Sequence, residues 1–205
     1  HRLGGTAVKE SAVQPRFGAI QRWAPPLLLS LLLLGLGGAW VRQYNVTWDE
    51  ALGDLFFGQR YWSFYTTLDP AYLDFFRDPY PPGYVPDLSG SEWRHEPAHF
   101  YGVGGTLAAA TSDLVYRKLG WLDPYDGYHA VNLWLAVLFV FAFHPFLLRR
   151  FGAGVAVLAP VLLFLCPRIV CDLMANIKDF PSMMFFGVAL MAFLTAYEAG
   201  SFGGV

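Results

Sequence analysis

Two adjacent carboxylates, Asp49 and Glu50, follow closely on a long apolar run, in the sequence Thr47-Trp48-Asp49-Glu50. A carboxylate held at a membrane surface can take the proton of an attacking hydroxyl, which is the work of a general base. The same four residues also have a plain structural explanation. Thr47 with Glu50 three positions on matches a capping box at a helix start. A second polar element, Asn176-Ile177-Lys178-Asp179-Phe180-Pro181, is wedged between two apolar runs. Ionisable groups at membrane depth or edge are expensive to hold there, and they are functional suspects by default. The structural alternative is that Lys178 and Asp179 mark the interface while Pro181 opens the next helix. The two explanations are compatible.

A third pattern, His95-Glu96-Pro97-Ala98-His99, matches the H-E-x-x-H signature of zinc proteases. That chemistry needs both imidazoles on one face of a helix, so that they point at the same metal. Pro97 lies inside the pattern, where it removes a helical donor and disfavours helical geometry at Glu96. A helix that begins at Pro97 leaves His95 outside it, and the register is lost. No metal ligands are therefore assigned. Gly102-Val103-Gly104-Gly105 has neither a strand before it nor a Lys after it, so it is not read as a phosphate loop. Asn45-Val46-Thr47 has the N-glycosylation pattern but stands too near the membrane to serve as an acceptor. His144 is expected to be a buried histidine with its hydrogen bonds satisfied.

The elements that must position these groups are membrane spans. Hydrophobic residues make up 55 % of the chain and charged residues 15 %, against roughly a quarter charged in ordinary soluble domains. The apolar residues collect in four runs, Trp23 to Val41, Val131 to Leu148, Gly152 to Cys166 and Phe180 to Tyr197. A crossing helix needs about 20 mainly apolar residues. The first run starts late and is long for a cleaved signal core, so it reads as a signal anchor. Cys166 and Cys171 are too few for a disulfide framework and are expected to be small apolar fillers near one membrane face. The formal net charge of −2 gives no field that would favour nucleic acid.

Charge distribution orients the runs. Residues 1–22 carry Arg2, Lys9, Arg16 and Arg22 against the single acid Glu10, and Arg149-Arg150 follow the second run. The positive-inside bias puts both places in the cytoplasm. Residues 42–126 hold twelve Asp or Glu against six Lys or Arg, which fits a translocated outer loop. The expected organisation is a cytoplasmic tail, 1–22, followed by a membrane domain, 23–205, with spans at about 23–41, 127–148, 152–168 and 179–197. Within the outer loop, residues 49–66 are expected to form a helix at the membrane interface, with aromatic rings at headgroup level and Gln59 and Arg60 between them. Residues 97–119 are expected to form a second amphipathic helix, which Pro97 can open. A chain with no initiator Met that stops in a Gly-rich stretch after a span reads as the N-terminal fragment of something longer.

On these residues the chain resembles the membrane glycosyltransferases of the GT-C class. Within that class it resembles the family 39 group of protein O-mannosyltransferases and bacterial lipid A aminoarabinose transferases. The shared features come in order: a basic N-terminus, one span, the acidic pair Asp49-Glu50, the His95-Glu96-Pro97 element before an interfacial helix, and the Asn176, Lys178, Asp179, Pro181 element. They extend over residues 23–197. Family members often carry two prolines after the His, where this chain has Pro97-Ala98. The resemblance implies an all-α, polytopic helix bundle of truncated GT-C type with interfacial helices in its first outer loop. It implies inverting transfer of a sugar from a polyprenyl-phosphate donor to a protein, lipid or glycan acceptor at the outer face of a bacterial plasma membrane. Asp49 would be the general base, with Glu50 and Asp179 in the catalytic set. Lys178, Asn176, Arg168, His95 and Glu96 would bind substrate, and Lys178 and Arg168 are the cations available to a phosphate leaving group. No cofactor is expected, although a divalent cation fits the chemistry. The competing readings are a polytopic transporter, which should show two related halves with broken spans, and a membrane zinc protease.

Overall fold

The structure, a computed structural model, describes residues 18–43, 55–74 and 102–200. Among these residues there is no strand. The helices are α1 (Ala19–Val41), α2 (Leu55–Thr67), α3 (Gly102–Ser112), α4 (Pro124–Leu165), α5 (Pro167–Ala175) and α6 (Asp179–Glu198). A short 3₁₀ turn, Pro70–Leu73, follows α2, and a π-helical stretch, Asp113–Lys118, extends α3. Three helices are long and apolar enough to cross a membrane, namely α1, α4 and α6. Leu28, Leu31, Leu32, Leu158, Leu162 and Phe186 are each more than half exposed. An apolar surface of that extent suits hydrocarbon rather than water.

α4 is not one rod. Gly152 has φ 84° and ψ 176° inside it, a backbone conformation that is essentially restricted to glycine. Val140 and His144 before the break line the same crevice as Ala156 and Pro160 after it. The chain therefore doubles back, with one arm at 124–151 and a second at 153–165. The runs expected as separate spans at 127–148 and 152–168 are these two arms. The second arm is shorter than expected. Its helix stops at Leu165 because Cys166 is extended and Pro167 opens α5, as the restriction on a residue before proline requires. Thirteen residues rise only about 20 Å, less than the roughly 30 Å of hydrocarbon.

Contacts fix the directions of the other helices. Gly37 of α1 lies against Leu133, whereas Pro25 and Pro26 share the crevice of His144. α1 thus runs antiparallel to the first arm. Gly187 of α6 lies against Phe139, and Glu198 meets Arg150, so α6 runs parallel to it. The core between them contains Val41, Leu133, Ala136, Phe139, Val140, Phe164, Met174 and Met184. Arg150 closes one end of the bundle. Its guanidinium grips the Glu198 carboxylate through Nε at 3.0 Å and Nη2 at 2.6 Å, and lies over the Phe146 ring.

At the opposite end α3 is a wedge of small residues between α2 and the start of α4. A side chain at Gly58 would strike the carbonyl of Gly105, one at Gly104 the carbonyl of Ile177, and one at Gly127 the backbone of Ser112. Small residues at helix crossings in membranes let backbones approach this closely. The Gly102–Gly105 stretch, rejected as a phosphate loop, thus opens a helix and makes two of these contacts.

The fold-back makes a specific demand on Gly152. No neighbour stands within reach of a Cβ there, nor of one at the helical Gly154. Gly152→Ala should lower the unfolding free energy by about 1–3 kcal/mol through backbone strain alone. Gly154→Ala should be neutral or stabilising by up to about 1 kcal/mol. Thermal unfolding of the purified variants in detergent measures both, and equal melting temperatures would contradict the turn.

Candidate functional site

The end of the bundle where α1 finishes and α4 begins collects polar side chains that the apolar runs conceal. Asp123 caps α4, accepting from the amides of Tyr125 and Asp126 at 2.8 and 2.9 Å. Three, six and nine residues further on, Asp126, His129 and Asn132 are all buried. Their three-residue spacing puts them on one side of the helix. Arg42, just beyond α1, donates to the carbonyl of Trp121 and so fastens α1 to the turn before α4.

Asn132 does the most specific work. Its Nδ2 donates to the carbonyl of Asp172 at 3.3 Å and to that of Asn176 at 3.1 Å. The Asp172 carbonyl also accepts from the Asn176 amide at 2.9 Å. Carbonyls at a helix end lack intrahelical donors, and at Asn176 a side chain from another helix supplies one. Asn176 in turn closes over the first turn of α6. Its Oδ1 accepts from the amides of Lys178 and Asp179 at 3.0 and 2.7 Å, while its Nδ2 donates to the Asp179 carboxylate at 2.9 Å. This is the reciprocal logic of a capping box, and the carboxylate at a helix N-terminus is favoured by the dipole. Arg168, largely exposed on α5, pairs with Asp172 one turn on at 2.9 Å.

Of the residues singled out in the sequence, Asn176, Lys178, Asp179 and Arg168 therefore belong to one short stretch, α5 and its junction with α6. Asp49, Glu50, His95 and Glu96 lie outside the described residues, as do Pro97 and His99. The chain enters and leaves the Asp49–Glu50 segment through Gln43 and Leu55, beside α1 and α2 at this same end. It re-enters after the His95–Glu96 segment through α3, whose Gly104 packs on Ile177. Among the described residues no cluster of His, Cys, Asp or Glu has the arrangement of a metal site.

Several expectations need correction. Gln59 and Arg60, expected among the aromatic residues of an interfacial helix, are both buried, while Tyr65 of the same helix is 62 % exposed. The helix is turned polar side in. Arg60 gathers the carbonyls of Ala71, Tyr72 and Asp74 around its guanidinium, which ties the 3₁₀ turn to α2. Burial, with Tyr65 beside it, pushes the Tyr61 hydroxyl above its usual range. The helix ending near Leu119 is likewise inverted. Asp113 is buried and paired to Arg117 at 3.1 Å and Lys118 at 3.5 Å, whereas Leu114 and Trp121 are exposed. The wider turn of a π-helix brings both the fourth and the fifth residue over the first. Cys166 and Cys171 are exposed rather than packed as fillers. His144 is buried, but neither ring nitrogen has a hydrogen-bond partner, so it is not satisfied as expected.

Asn132 stands inside the apolar run Val131 to Leu148, where it has no charged neighbour to single it out. An amide inside an apolar run is itself a signal. No family model matches the chain, and no curated protein or solved structure is significantly similar to it.

Asn132 is a direct test of how this end is held. Asn132→Leu keeps the bulk but leaves the Asn176 carbonyl unpaired, while the Asp172 carbonyl keeps the Asn176 amide, and this should cost about 1–3 kcal/mol. Asn176→Ala should cost about 1 kcal/mol as a lost cap. Unfolding in detergent, with hydrogen exchange at the α5 amides, reads both. Unchanged protection of α5 in Asn132→Leu would show that the bridge does not hold it.

Proposed function

We propose that the protein transfers a sugar from a polyprenyl-phosphate donor to an acceptor hydroxyl at the polar end of the bundle. One observation carries this proposal. The exit of α1, the α2–α3 pair and the α5–α6 junction all meet at one end, where Gly104 near the start of α3 packs on Ile177 beside Lys178. Spans that hold a lipid carrier in the bilayer, beneath an end rich in carboxylates, amides and cations, suit a donor that is half lipid and half sugar.

In the proposed reaction the acceptor oxygen attacks the anomeric carbon as the bond to the carrier phosphate breaks, and configuration inverts. Asp49 takes the acceptor proton. The departing phosphate gains charge, and a cation at its oxygen stabilises that charge in the transition state. Lys178 fills this role, with Arg168 nearby on α5. Asn176 and Asp179, joined to each other, hold the α5–α6 junction and so set where Lys178 stands.

Asp49→Asn keeps the shape and removes the basicity, so transfer should slow at least about a hundredfold while donor binding persists. Glu50→Gln should be milder. Lys178→Ala should weaken donor binding more than Asp179→Asn does. The assay uses the full-length protein with radiolabelled polyprenyl-phosphate sugars. Near-normal transfer by Asp49→Asn would end the catalytic assignment, and equal donor affinity in the Lys178 and Asp179 variants would end the division of roles.

A further inference from the structure

A second polar feature lies far from this end, inside the apolar part of the bundle. His144 stands six residues before Arg150, about 9 Å along the helix, where α1 crosses the two arms of α4. Its side chain is 1 % exposed, and both ring nitrogens are without a hydrogen-bond partner. A neutral imidazole offers one donor and one acceptor, and protein interiors rarely leave both unmade. The crevice beside it is lined by Pro25, Pro26, Val140, His144, Ala156 and Pro160, among others, and has about 20 Å³ open to the centre of a water molecule. One water needs roughly 10–15 Å³ on that measure.

The prolines supply what the histidine lacks. Pro160 has no N–H to give to the carbonyl of Ala156 four residues earlier, and Ala156 faces the same crevice. Pro26 has none for the carbonyl of Arg22. Proline-freed carbonyls in membrane helices are commonly satisfied by neighbouring side chains or ordered water. We propose that this crevice is a binding site for a single water, held between a ring nitrogen of His144 and the carbonyl of Ala156. The water ties the two arms of α4 together where α1 packs across them. Direct contact cannot do this, since no ring nitrogen of His144 bonds to the protein. The site is independent of the transfer reaction.

Solid-state NMR of the whole protein in lipid bilayers tests this without altering it. The chain has five histidines, and His144 is the one preceded by Phe. Labelling Phe with 13C and His with 15N therefore assigns its signals unambiguously. Magnetisation should pass from water to a ring nitrogen of His144. Pro160→Ala restores the missing N–H and should reduce that transfer at least about twofold, because the water then loses one of the two to four partners it needs. Absence of transfer in the unaltered protein would show a dry crevice and overturn the proposal. So would transfer undiminished by Pro160→Ala, which would show a water that does not bridge to Ala156.

Discussion

The reversal of α4 at Gly152 is the constraint on which the remaining architecture rests. Without it, residues 124–132 and the α5–α6 junction would be separated by the full length of a 42-residue helix. With it, Asn132 reaches back to the carbonyls of Asp172 and Asn176, and α6 descends beside the first arm until Glu198 meets Arg150. One glycine with a conformation closed to other residues thereby determines which polar groups share an end. The two flanking arginines also favour a turn at an aqueous boundary, where their charge can remain solvated.

The polar end obeys a rule that water-soluble proteins do not face as severely. Main-chain groups shielded from water must find partners inside the protein. Asn132, Asn176, Asp123 and Arg60 all use their side chains on main-chain amides or carbonyls. The same rule explains the inversion of α2 and of the stretch after α3. Gln59, Arg60 and Asp113 point inward while Leu114, Tyr65 and Trp121 face out. The polar side chains are therefore first of all a frame, and chemistry proposed for this end uses what the frame presents, Lys178 foremost.

Much of this was legible in the sequence, for identifiable reasons. Uncharged runs located α1, both arms of α4 and α6 to within a few residues, because hydrocarbon tolerates little else. Arg149-Arg150 marked the turn, and the end of the helix near Leu119 was also anticipated. Local rules that were available but outvoted account for some failures. Pro167 cut short a span read as continuing to 168. Gln59 and Arg60, set between the aromatic residues of an expected interfacial helix, face inward instead, since in a bilayer the apolar side of a protein can be the outer one. Other features had no local signature. That Gly104 would meet Ile177, or that Asn132 would cap a helix some forty residues later, follows only from the packing of distant segments. The candidate site was legible as a set of charged residues near span ends. The role of Asn176 as a cap on α6 emerged only from the hydrogen bonds.

The most direct test of this account is the distance between the two ends of α4. Trp121, just before the helix, and Leu165, its last residue, are both well exposed and can carry spin labels once Cys166 and Cys171 are replaced by serine. A continuous helix would separate positions 44 residues apart by about 65 Å. The folded-back helix predicts an electron–electron distance below about 40 Å, the second arm retracing about 20 Å of the first and leaving only the lateral spacing of packed helices to add. A distribution centred near the longer value would contradict the hairpin, and with it the gathering of the proposed site at one end.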